Sequence, residues 1–402
     1  MRTYKFPVII LLLLVLAGLV ACDKDNDGKP VITRLRASSP APNDSTLTVA
    51  GPGQVVVIQG SGFASTTQIF FNGYPTPFNS ALLSDNNIIV AIPADMPFAS
   101  LDPAQLNTVK VVTRNGEVVF SFPVIPPPAI LSSASNENAK AGERITIMGN
   151  NFFFVEKVIF PGGIAVTTNL GTVAAGTSIE VTVPAGITQA GPLQVVTKFG
   201  TGSSVFLFND FSTGMISNFD DINNFSWGCP VKDDAALFPG NHGKYAHLTQ
   251  DNIPGNNWDW WNGKRGVITN AKDWLPASEM SNPAANYAMK FDIYVKEAWS
   301  TGVLLIGPPP NDTWVYMHRY EPWKNTPNFK TNGWITVTVP LSEFRKKSAG
   351  GVDGGGDPAS TVGDVIGSIN EIAKFMFVND TGTPIAKLDI AIDNIRVYKI
   401  VK

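Results

Sequence analysis

The residues of this 402-residue chain best equipped to hold a ligand are its nine tryptophans. All nine, and all three histidines, fall in the window bracketed by Trp227 and Trp334. Two clusters stand out: Trp258, Trp260 and Trp261 in NWDWW, and Trp314, Tyr316, His318, Tyr320 and Trp323 in WVYMHRYEPW. Indoles offer a large flat apolar face with one polar tip. A pyranose ring suits them, because it presents C–H groups to the ring while its hydroxyls seek amides and charged groups. By analogy with base stacking, each such contact contributes about 1–3 kcal/mol.

The two clusters call for different settings. Asn, Asp and Gly around the first predict a loop, where few indoles can be buried, and large exposed apolar surface marks a binding site. Trp260 and Trp261 are the favoured platforms there and Trp258 a further one. Asp259, Asn262, Lys264 and Arg265 supply hydrogen bonds. The second cluster reads as a strand over residues 314–320. Alternation puts Trp314, Tyr316, His318 and Tyr320 on one face, and Val315, Met317 and Arg319 on the other. Burying Val315 and Met317 leaves a ladder of rings facing solvent; the opposite orientation makes the ladder an ordinary core face. Trp299 is a further candidate at a strand end, while Trp227, Trp274 and Trp334 read as core or edge packing. On this reading Trp260→Ala, Trp261→Ala and Trp314→Ala weaken binding and leave the melting temperature nearly unchanged.

No catalytic residues are assigned. Glycoside hydrolysis needs two carboxylates roughly 5–9.5 Å apart. Asp292, Glu297, Asp312 and Glu321 are available, but the E-x-D-x-x-E strand motif of laminarinase-like jelly rolls is absent. His318 stands apart from the other histidines and reads as a hydrogen-bonding ring, so no metal ligand is assigned. Calcium on Asp393 or Asp220 has no supporting spacing, and no cofactor is expected. A glycoside hydrolase or lyase, or a protein-binding adhesin, are the alternatives to a non-catalytic glycan binder.

What must carry these rings is a β-protein. Charged residues make up only 16% of the chain, while 36 glycines and 30 prolines punctuate short Val/Ile/Thr runs. The formal charge of −3 gives no basic footprint for nucleic acid. A repeat recurs at an offset of 89 residues. Gly53-QVVVIQ-Gly60-SG-Phe63 aligns with Gly142-ERITIM-Gly149-NN-Phe152, followed by Ile69/Val158, Phe71/Phe160 and Gly73/Gly162. The fold class is all-β: two tandem Ig-like β-sandwiches, then a jelly-roll-like β-sandwich carbohydrate-binding domain. Neither repeat holds a histidine, tryptophan or cysteine, so both read as spacers, with Pro126, Pro127 and Pro128 as a semi-rigid hinge. Residues 350–356 (GGVDGGG) read as a mobile loop.

Residues 1–21 carry Arg2 and Lys5 ahead of an apolar run too short to span a bilayer. That is a secretory signal pattern. It ends in Leu19-Val20-Ala21-Cys22, which resembles the bacterial lipobox and implies a diacylated Cys22. The domain plan is therefore a signal peptide (1–21), an acidic tether (22–29), Ig-like domains at 30–126 and 127–209, and a glycan-binding domain at 210–402. With Cys22 used for lipid, Cys229 has no disulfide partner and reads as a small buried side chain.

The repeated G-x-V-x-I-x-G-x-x-F pattern resembles IPT/TIG immunoglobulin-like domains. The acidic Asp23, Asp25 and Asp27 after Cys22 resemble the surface-export signal of Bacteroidetes lipoproteins. Together with the tryptophan-rich terminal domain, the architecture resembles the surface glycan-binding proteins of Bacteroidetes polysaccharide-utilisation loci, and most closely those with a C-terminal xyloglucan-binding domain. That resemblance implies non-catalytic capture of a plant or microbial polysaccharide by a protein lipid-anchored at the cell surface of the outer membrane. It also implies partnership with a TonB-dependent transporter and its partner lipoprotein. The xyloglucan type carries three Ig-like modules where this chain has two.

Overall fold

The computed structural model describes residues 28–173, 175–307, 316–367 and 372–401. Cys22 and Trp314 lie outside them. The chain is all-β and divides into two compact units, Met1–Pro127 and Pro128–Lys402.

The first unit contains one sandwich. Its three-stranded sheet pairs Val55–Ser61 with Val31–Ala37 and Asn87–Ala91, and its four-stranded sheet runs Tyr74–Pro75, Thr66–Phe71, Thr108–Thr113, Gly116–Ser121. The second unit opens with the other repeat, built from Ile130–Ala134, Arg144–Asn150, Ser178–Thr182 and Gly171–Thr172 against Ile164–Val166, Val155–Phe160, Gly191–Thr197 and Gly200–Phe208. The repeated Gly-x-x-Phe has one physical origin in both copies. A Cβ at Gly60 would lie 1.8 Å from the carbonyl oxygen of Val31, and one at Gly149 1.9 Å from that of Ile130. The buried rings of Phe63 and Phe152 crowd the same points. Only glycine permits that approach.

The remainder of the second unit is a sandwich of two antiparallel six-stranded sheets. One runs Phe225–Gly228, Gly266–Thr269, Lys374–Val378, Val303–Gly307, Tyr316–Tyr320, Arg345–Lys346, and is called here the platform sheet. The other, the junction sheet, runs Val231–Lys232, Tyr245–Ile253, Ile385–Lys399, Tyr287–Val295, Ile335–Pro340, with Met215–Ser217 paired onto Ile385–Lys399. Between them lies a core of Phe291, Leu304, Ile306, Phe375, Phe377, Ile390 and Ile392, among others. Cys229 is a buried free thiol, and burial pushes its pKa up to about 12.

The second repeat does not behave as a detached spacer. Glu137 is buried and accepts hydrogen bonds from Lys290 Nζ (2.5 Å) and Arg396 Nη2 (2.9 Å), both on the junction sheet. Asn138 donates to Asp292 (2.9 Å), and Thr336 N–H donates to the Ser135 carbonyl (2.8 Å). Charges this deeply buried are costly to the fold, and close partners such as these offset that cost. Residues 128–209 and the C-terminal sandwich are thus joined through a desolvated ionic cluster.

Asp393 sits at the edge of that cluster. Burial, with the neighbouring Asp292 carboxylate, holds its pKa well above the usual carboxylate range. A raised folded-state value means that this group's stabilising contribution is complete below the ordinary carboxylate pKa. It is lost as pH rises through the folded value. Asp393→Asn is therefore expected to raise the melting temperature more at pH 8 than at pH 4. A melting series across that range checks it, and an equal shift at both ends would refute the assignment.

Candidate functional site

The outer surface of the platform sheet gathers the exposed indoles. Trp227, Trp258 and Trp261 are 42%, 40% and 55% exposed, unusual values for so large an apolar ring. Trp227 stands on the edge strand Phe225–Gly228, where an irregularity in pairing between Phe225 and Trp227 lets both rings leave the strand on opposite sides. Phe225 packs on the core between the sheets. The other indoles belong to the loop leading into Gly266–Thr269. Trp260 is half-buried and turns inward, packing on an outer-face cluster of Val303, Leu305, Met317, Met376 and Val378. Its ring lies over Gly266, where an added Cβ would approach Trp260 Cε3 to 3.2 Å.

Trp260 organises its neighbours. Trp227 lies 6.4 Å from it at 78° and Trp261 5.9 Å at 84°, both edge-to-face. Three indoles in this arrangement form a stepped surface rather than one flat plate, so separate rings can each receive a separate sugar. The loop itself is fixed by backbone bonds between Asn257 and Asn379 (2.8 and 3.0 Å) and by Asn262 Nδ2 donating to Gln250 (2.8 Å).

Polar groups occupy the other end of the same face. Arg319 alternates with inward-facing His318 and Tyr320, and pairs with Glu321 (3.1 Å) and Asp380 (2.5 Å). Lys324 also reaches Glu321 (2.7 Å). From the Trp227 strand to the Arg319 strand is four inter-strand steps, about 19 Å. Arg319 Nη1 also donates to the Asp353 carbonyl (3.3 Å), so the Arg319 end of the face is covered and the exposed rings lie at the opposite end.

Within the described part of the ring ladder, Tyr316, His318 and Tyr320 face inward, opposite to the solvent-facing expectation; Trp314 and Val315 lie outside the described residues. Tyr316 is buried in the core between the sheets. Tyr320 meets Phe291 and Trp299 edge-on (5.8 Å each), and burial raises its pKa strongly. His318 packs near Phe344, faces the Glu343 carbonyl, and has its pKa lowered to about 4 by burial, so it is neutral at physiological pH. Met317 and Arg319 take the outer face instead. The reason is volume: the inter-sheet space is filled by large rings, while the outer face is roofed by Trp260 and by residues 348–356. Those residues are held by hydrogen bonds, such as Val352 N–H to Ser348 Oγ (3.0 Å) and Gly356 N–H to the Lys346 carbonyl (2.8 Å). The glycine-rich run is thus a hydrogen-bonded cover rather than an untethered loop.

Trp299 is likewise a core residue, 4% exposed, with its Nε1–H donating to the Gly302 carbonyl. Trp323 donates to the same carbonyl at 2.7 Å and packs half-buried at the core's edge. A cavity of about 360 Å³ lies beside Trp299, lined by Glu297, Thr301, Lys387 and Asp389. It exposes almost none of the indole, so the exposed rings mark the site better than this cavity. Of the carboxylates, Asp292 is locked in the ionic cluster and Glu321 in ion pairs. Asp312 lies outside the described residues. Asp220 accepts the Lys244 N–H, and no group of three or more His, Cys, Asp or Glu residues suited to a metal occurs among the described residues. Sequence reasoning missed Trp227, whose only signal was its position between Ser226 and Gly228, small neighbours that leave an indole uncovered.

Comparison with known proteins fits this geometry. Residues 208–399 match the family model of the surface glycan-binding protein B xyloglucan-binding domain, and residues 30–122 that of the IPT/TIG domain. An IPT/TIG domain-containing protein of Bacteroides ovatus is 27% identical over an alignment of 198 residues that covers 46% of this chain. The match spans 40% of that relative's length. Among solved structures, the surface glycan-binding protein PbSGBP-B from Prevotella bryantii aligns with a TM-score of 0.72 at 20% identity, over 93% of this chain and 99% of that one. SGBP-B from a complex xyloglucan utilization locus in Bacteroides uniformis aligns at 0.52 and 19% identity, over 92% and 99%. At such identities the likeness establishes a shared β-sandwich fold.

Proposed function

Given that the C-terminal domain belongs to the xyloglucan-binding-domain family of surface glycan-binding protein B, behind an N-terminal IPT/TIG domain, we propose that this chain binds a neutral β-linked polysaccharide of the xyloglucan or β-glucan type without cleaving it. The observation that carries this reading is the set of exposed indoles: Trp227 and Trp261 meet Trp260 edge-to-face, and Trp258 stands on the same loop as Trp260 and Trp261. Apolar steps beside exposed polar side chains suit a neutral chain, whose C–H faces stack while its hydroxyls bond to Asn262 and Lys264 on the same loop. The non-catalytic reading is supported by the commitment of Asp292 and Glu321 to structural ion pairs.

The proposal extends to the cell. Diacylation of Cys22 would tether the protein to the outer face of the outer membrane, beside a TonB-dependent transporter and its partner lipoprotein, to capture chains for uptake. Two acyl chains suffice for stable anchoring. Electrophoresis through gels containing xyloglucan, mixed-linkage β-glucan or mannan tests the binding, with retardation expected in xyloglucan or β-glucan. No retardation in any polymer overturns the function. Release of reducing sugar from a bound polymer overturns its non-catalytic part, and loss of palmitate labelling in Cys22→Ser tests the anchor.

A further inference from the structure

Arg265 is the largest of the fully buried side chains, 0% exposed, and has no ion-pair partner among the described residues. Only its Nη2 is engaged, donating to Asn257 Oδ1 at 2.5 Å; Nε and Nη1 are buried with no protein partner among those residues. Burial lowers its pKa, with Asp259 the one opposing charge. The contrast with Arg396 is sharp, since that equally buried guanidinium is matched by Glu137 and Asp292. Burying a cation opposite a neutral amide is unfavourable for the fold, and an apolar side chain would fill the place at less cost.

What Arg265 does obtain is control of the tryptophan loop. A guanidinium only donates, so it turns the Asn257 amide oxygen toward itself and the Nδ2 away. That Nδ2 donates to Asp259 Oδ2 at 3.0 Å. Asp259 lies between Trp258 and Trp260, and its carbonyl accepts the Asn262 N–H at 3.3 Å. A directed chain, Arg265 to Asn257 to Asp259, therefore runs from the buried guanidinium into the loop that carries Trp258, Trp260 and Trp261. We propose that Arg265 is a positioning residue, kept at a cost to stability because it pre-sets the loop that presents Trp258 and Trp261. This rests on the reading of that loop as a glycan platform. A pre-ordered loop loses less entropy on binding, and that gain appears as affinity.

The test uses Arg265→Met, Asn257→Ala and the double variant in the full chain, with xyloglucan oligosaccharides as the probe. Arg265→Met is expected to leave the melting temperature unchanged or raise it, because an apolar chain replaces an unpaired buried charge. Affinity is expected to fall about tenfold. Asn257→Ala should reproduce that loss, and the double variant should be no weaker than either single. A lowered melting temperature with unchanged affinity, or additive losses in the double variant, overturns the proposal. Acrylamide quenching of tryptophan emission separates this from failure of the glycan reading. If no oligosaccharide binds even the wild type, quenching that rises in Arg265→Met still supports positioning, and unchanged quenching refutes it.

Discussion

Glu137→Ala is expected to destabilise the second unit by about 3–5 kcal/mol, the usual consequence of removing one partner from a buried ion pair. Glu137 neutralises two cations, Lys290 and Arg396, each about as buried as itself. Without it, Asp292, 3.6 Å from Arg396, is the carboxylate left within ion-pair distance of that guanidinium among the described residues. Lys290 already has its pKa lowered by burial and would have the easier escape, shedding its proton. Arg396 has none. The scale of the effect follows from where Glu137 lies, on the second repeat, reaching across to the junction sheet. Its own carbonyl also accepts the Asn209 N–H at 2.8 Å, just before the chain enters the C-terminal sandwich. Chemical denaturation measures the loss directly, and a cost below about 1 kcal/mol would mean the junction holds without its central charge. Glycan affinity well below the transition should be unchanged, because the indoles stand on the other sheet.

The second large effect is on binding. Replacing both Trp258 and Trp261 by alanine is expected to remove two stacking contacts of about 1–3 kcal/mol each. That corresponds to roughly 5- to 150-fold per residue. Both rings are well exposed, so the melting temperature should move little. Trp260→Ala is different. That ring roofs the cluster of Val303, Leu305, Met317, Met376 and Val378. Its loss should cost stability by about 2 kcal/mol and also disorder its two neighbours. The expectation from sequence, that Trp260→Ala leaves the melting temperature nearly unchanged, is therefore revised. Calorimetric titration with xyloglucan oligosaccharides, paired with melting curves, distinguishes the three rings. If the Trp258/Trp261 variant binds as wild type does, the platform is elsewhere on the molecule.

Much of the fold was legible in the chain. Alternating apolar residues announced strands, and the Gly-x-x-Phe repeat announced two related sandwiches, because its glycines are demanded by backbone contact rather than by packing taste. The loop character of NWDWW was also legible, since Asn, Asp and Gly favour turns whatever surrounds them. Less of the site could be read. Sequence position alone points Trp227 to packing, yet its ring is exposed, and it points Trp299 and Tyr316 to the ligand, yet both belong to the core.

Local chemistry determined which residues alternate, where the chain turns, and that every indole belongs to one domain. Which side of a strand faces the core is not a local property. A period of two defines two faces of the segment containing Tyr316, His318 and Tyr320 without ranking them, because both carry apolar groups. The ranking came from the opposing junction sheet, whose Phe291 receives Tyr320, and from Trp260, which roofs Met317 on the far side. Tertiary structure likewise decided that the second repeat is half of a rigid junction, since Glu137, Lys290 and Arg396 are far apart in sequence. They are costly to bury apart and are stabilised only when the fold brings them together.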